Sequence, residues 1–144
     1  MTGRRDLVTL IATPLIEAAA RYQDDTRPIG QSLASSQFVW SRLLGHSLLL
    51  GNNPSPMEVA NATSELSQLQ STIEGDKPEL TTGFIAIDKP SPVVLVEVFV
   101  VALVDQLALT LPKSELIDAV APIVELRDKY SLGFHEAVSN CFRK

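Results

Sequence analysis

The sequence predicts an all-α fold: a single helical domain, residues 1–144, forming a compact bundle of five or six helices around a central hydrophobic helix at about 92–111. Three observations predict it. The run from Ser91 to Pro112, SPVVLVEVFVVALVDQLALTLP, is apolar around nearly its whole circumference at about 100° per residue, as a buried helix is. Most segments before and after it carry apolar residues at spacings of three and four, so each has one face to bury. Hydrophobic residues make up 45% of the chain and aromatics only 6%, which leaves aliphatic side chains to fill the core.

In chain order, Asp6 to about Asp24 is the first predicted helix, with Leu7, Val8, Ile11, Leu15, Ala18, Ala19 and Tyr22 on one face. Pro14 lies inside it. Proline lacks an N–H and crowds the carbonyl four residues back, so a kink or a helix start is expected there. Asp24 to Gly30, DDTRPIG, reads as a turn. Gln31 to Leu50 is the second helix, with Leu33, Trp40, Leu43, Leu44, Ser47 and Leu48 inward and Ser35, Arg42 and His46 turned away from them. Gly51, Asn52, Asn53 and Pro54 stop it. Ser41, Gly45 and Ser47 allow a neighbouring helix to approach closely, and Trp40 is expected in the core.

Ser55-Pro56-Met57-Glu58 is a capping box with proline at the first helical position, opening a helix that runs to Glu74. Val59, Ala62, Leu66, Leu69 and Ile73 form a narrow seam along it. Such a seam packs on a neighbouring helix of the same chain or pairs with the same helix of another chain. Asp76 to Pro90 is predicted as a loop with apolar Phe84, Ile85 and Ile87 in its middle, a candidate for partner contact.

In the central run, Ser91 serves as N-cap and Pro92 as first helical residue. Its many valines would suit a strand, but its length decides for helix. Glu97 and Asp105 argue against a membrane span, since each acid at mid-helix costs about 2.5–3.5 kcal/mol on insertion. After Pro112, Ser114 is predicted to cap a helix that buries Leu116, Ala119, Val120, Ile123, Leu126 and Tyr130, with Pro122 bending it. Arg127 projects into that apolar face. If the two helices form a hairpin, Glu97 matches Arg127 in height and a structural ion pair between them is expected, because a lone buried charge is severely destabilising. A short terminal helix carries Phe134, Val138, Cys141 and Phe142.

A net charge of −5 argues against nucleic-acid backbone binding as the main role. With a single cysteine no intrachain disulfide forms, so a reducing, cytoplasmic setting is expected. The N-terminus only superficially resembles a signal peptide, since Asp6, Thr9, Thr13 and Glu17 interrupt its apolar run. His46 and His135 have no metal-ligand spacing with Cys141, and neither a phosphate-binding glycine loop nor a nucleophile elbow is present, so no catalytic, cofactor or metal residues are assigned. The expectation is a non-enzymatic protein–protein interaction module, an adaptor, chaperone, inhibitor or small subunit. It would act on a protein partner or a second copy, with Val59, Leu66, Leu69, Ile73, Phe84 and Ile85 as contact residues. The alternatives are a nucleic-acid-associated regulator using a local basic patch, and a small enzyme using Glu97 and Asp105.

Overall fold

The computed structural model describes residues 8–51, 54–74 and 92–130, with the side chains of 70, 72–74, 92–95 and 125–130 outside the description. A π-helical turn, Val8–Ala12, leads into α1 (Thr13–Arg21), α2 (Gln23–Ala34), α3 (Val39–Leu50), α4 (Pro56–Glu74), α5 (Pro92–Thr110) and α6 (Lys113–Tyr130). Among the described residues there is no strand, and the bundle is all-α.

α5 is the predicted central helix. From Val96 to Val104 every residue is buried, and the helix packs against the π-turn, α3, α4 and α6. No helix of the described residues is long and apolar enough to cross a membrane. α3 shares the centre, with ten of its twelve residues buried. Trp40 on α3 stacks on Phe99 of α5, the ring centroids 6.3 Å apart. The buried Ser47 hydroxyl donates to the Leu43 carbonyl at 2.8 Å, so it adds no unsatisfied group to this apolar contact.

Three expectations are corrected in the N-terminal half. Leu15 and Tyr22 are 43% and 54% exposed rather than inward. Val8 and Ala19 are buried as expected, but the π-turn widens the helix just ahead of Pro14, whose ring would clash with the Leu10 carbonyl in a regular α-helix, and the wider turn shifts the phase so that Ala12 and Ile16 join them at the core in place of Leu15 and Tyr22. The DDTRPIG segment is helical, with Pro28 inside α2. Asp24 and Asp25 in the first turn of α2 favour it through the helix dipole, and the Thr26 hydroxyl donates to the Tyr22 carbonyl at 2.8 Å. The predicted helix from Gln31 to Leu50 is broken between α2 and α3. There the Ser36 hydroxyl accepts from the Phe38 N–H at 3.1 Å and Phe38 is extended, a serine-backbone turn that competes with the helical ladder.

The close approach expected at Gly45 is present. A Cβ there would lie 2.4 Å from the Ala34 nitrogen and 2.7 Å from the Gly30 carbonyl oxygen, so α2 and α3 meet backbone to backbone. The capping box also forms as predicted: Ser55 N–H donates to Glu58 Oε1 at 3.0 Å and Glu58 N–H to the Ser55 hydroxyl at 3.2 Å. Leu116, Ala119, Val120 and Ile123 are buried on α6, as expected. The predicted loop at 76–90 and the terminal helix lie outside the described residues.

Candidate functional site

α4 carries two stripes side by side. Val59, Ala62, Leu66 and Leu69 form the apolar seam, and Glu58, Asn61, Glu65 and Gln68 run beside it, each one position earlier in sequence. Ala62, Leu66 and Leu69 are fully buried and Val59 packs partly buried against the core, so the seam closes within the chain, on α6, α3 and α5. Leu66 and Leu69 are therefore core side chains of this chain. The reason is packing: α4 lies alongside α6 and α3, and the seam is the face it turns to them. The Ile73 side chain, Phe84 and Ile85 lie outside the described residues.

The polar stripe lines a cleft of about 550 Å³ between α2 and α4, floored by His46 and Leu49 of α3. His46 and Glu65 on its wall belong, with Arg42, to a polar cluster absent from the sequence-based site. Arg42 Nε donates to both Glu65 carboxylate oxygens at 3.1 Å, and its NH1 donates to the Ser36 carbonyl at 3.1 Å. His46 Nε2 lies 3.7 Å from Glu65 Oε1, longer than a hydrogen bond. His46 and Glu65 are each only 7% exposed. Arg42 and His46 do point away from the leucine face, as the periodicity implies, but α4 covers most of both, leaving the Arg42 side chain partly exposed and His46 buried. A periodicity reading sees one helix at a time; the signal was the one-turn spacing of Arg42 and His46 opposite a matching acidic stripe on α4.

Burial pushes the Glu65 carboxyl up, but the contact with His46 and the charge and hydrogen bond of Arg42 outweigh it, so its pKa is lowered from the ordinary 4.5. A carboxyl held ionised in this way is a poor general acid at neutral pH, since that role needs a raised pKa. The His46 Nδ1 atom is buried without a hydrogen-bond partner, so this ring nitrogen has no open path to a substrate. The cluster's chemistry is cohesion between α3 and α4. Near the mouth of the cleft, Glu58 completes its capping box and also pairs with Arg27 of α2.

Glu97 is 4% exposed in the middle of α5. The side chain of its predicted partner, Arg127, lies outside the described residues. Asp105 is partly buried and lines a smaller cleft of about 220 Å³ with Thr13, Glu17 and Gln106. Eight residues of helix separate the two acids, about 12 Å along the axis, so they do not form one site. Among the described residues no three His, Cys, Asp or Glu side chains gather where they could hold a metal ion. No protein family, curated protein or solved structure matches this chain.

A second opening is apolar. Pro56, Val59 and Ala60 of α4 face Leu111 and Pro112 at the corner between α5 and α6, enclosing about 550 Å³ with Thr63, Thr110 and Glu115 at its edges. Of the sequence-predicted contact residues whose side chains are described, Val59 reaches this groove, while Leu66 and Leu69 do not.

Proposed function

We propose that the protein is a non-enzymatic interaction module that docks a protein partner or a second copy of itself through a helical surface. The observation that carries this reading is the apolar groove at the base of α4, lined by Pro56, Val59, Ala60, Leu111 and Pro112. Grooves of this size lined by aliphatic side chains accept one or two apolar anchors of a partner. An enzyme built on Glu97 and Asp105 is disfavoured by the burial of Glu97 and the axial distance between the two acids. A nucleic-acid role has only the net charge to speak to it, and that is −5.

The test is an Ala60→Arg variant, because Ala60 is exposed and a charged side chain there obstructs the groove without disturbing the core. Light scattering and co-purification from the native cell are expected to show an assembly for the natural chain and its loss in the variant, with the thermal midpoint unchanged. A monodisperse monomer with no co-purifying protein, or an assembly indifferent to Ala60→Arg, would refute the reading.

A further inference from the structure

α2 is fastened differently from its neighbours. Of its residues Gly30 alone is buried and Leu33 is partly buried against the core, whereas α3 buries ten of twelve. It contains a proline, and chain breaks bound it on both sides: Tyr22 at φ −118°, ψ 57° before it, and the extended Phe38 after the Ser35–Phe38 turn. Two carboxylates of α4 bear on it, one directly and one through Arg42 of α3. Glu58 pairs with Arg27 in its second turn. Glu65 holds Arg42, whose other nitrogen binds the Ser36 carbonyl just beyond its last turn. Between these two fastenings α2 lies over Gly45 and Leu49 and forms one wall of the polar cleft that His46 and Glu65 line.

We infer that α2 is a lid that opens by local unfolding between Tyr22 and the Ser35–Phe38 turn, and that the α4 carboxylates Glu58 and Glu65 help to hold it shut on α3. Local stability follows buried apolar contact, so a helix with one buried glycine opens well below the cost of global unfolding. Opening uncovers Leu49, the Gly45 backbone and the Arg42–His46–Glu65 cluster together, and converts the cleft into an accessible surface. The inference is independent of the groove at the base of α4, which lies on the other side of the Glu58 stripe and involves no residue of α2.

Native-state hydrogen exchange followed by mass spectrometry on the full chain tests it. Amides of α2 are expected to exchange at least about tenfold faster than those of α3 and α5, with little dependence on low urea concentrations, because little surface is exposed by the opening. Glu58→Gln keeps the capping box, whose acceptor is Glu or Gln, but removes the charge. It is expected to speed exchange in α2 by about fivefold, a value typical of a partly exposed ion pair, while leaving α3 and α5 unchanged. Arg27→Gln is expected to do the same, and the double variant no more than either alone. Equal exchange free energies in α2 and α3 for the natural chain would overturn the lid, and this comparison needs no variant to fold. Acceleration of all helices alike in Glu58→Gln, or additive effects in the double variant, would overturn the role of the pair.

Discussion

At the scale of single residues, Glu65 carries the most electrostatic weight. Its folded pKa lies below the ordinary 4.5, so its stabilising contribution is fully present above pH 4.5 and is lost as the pH falls through the folded value. Replacing it by glutamine strands the Arg42 charge, which is 19% exposed, and is expected to cost about 3 kcal/mol at neutral pH. Urea titrations across pH check the sign: the gap between the natural chain and Glu65→Gln should stay constant above pH 4.5 and close below it. A gap that widens in acid would mean that the carboxyl is not held ionised. Gly45→Ala tests packing instead. A helical alanine ordinarily gains about 1 kcal/mol over glycine, but here its Cβ would sit 2.4 Å from the Ala34 nitrogen, so a net loss of about 1–3 kcal/mol is expected in thermal melts. The smallness needed at Gly45 was legible in the sequence. The Arg42–Glu65 pair was not, because pairing across helices depends on which faces meet, and twenty-three positions separate the two residues.

At the scale of elements, the helices with strong local signals are where periodicity and caps put them. Ser55-Pro56-Met57-Glu58 starts α4 and Pro92 starts α5, both as expected. Errors cluster where a proline or a serine pair sets two local preferences against each other. At Pro14 the sequence predicts a kink or a helix start, and α1 does start at Thr13, but the π-turn ahead of it changes the inward face of α1. DDTRPIG has the composition of a turn, yet the Arg27–Glu58 pair and the aspartates at the start of α2 outweigh it. Pro28 still costs a backbone hydrogen bond to the Asp24 carbonyl. Pro28→Ala is therefore expected to raise stability by about 2 kcal/mol and to slow exchange in α2, since Pro28 is exposed and its ring fills no core space. A destabilised variant would show that the proline shapes α2 in a way its neighbours require.

At the scale of the whole molecule, α3 and α5 form a two-helix centre and the other helices surround it. The apolar run of α5 announced one half of that centre; the other half was hidden, because α3 mixes Ser41, Gly45, His46 and Ser47 among its leucines and looks amphipathic when read alone. Trp40, the single tryptophan, lies against Phe99 between these two helices and reports on the centre directly. Its fluorescence and far-ultraviolet circular dichroism are expected to lose signal at the same urea concentration, with Leu103→Ala shifting both by about 3–5 kcal/mol. Separate midpoints would mean that the centre and the surrounding helices unfold independently. The side-by-side stripes of α4 carry a genetic consequence. Because each acidic or amide position precedes an apolar one by a single residue, inserting one codon between Ala62 and Glu65 would seat Glu65 in the slot of Leu66 and Gln68 in that of Leu69. This helix should thus accept many substitutions on its outer face and hardly any change in length.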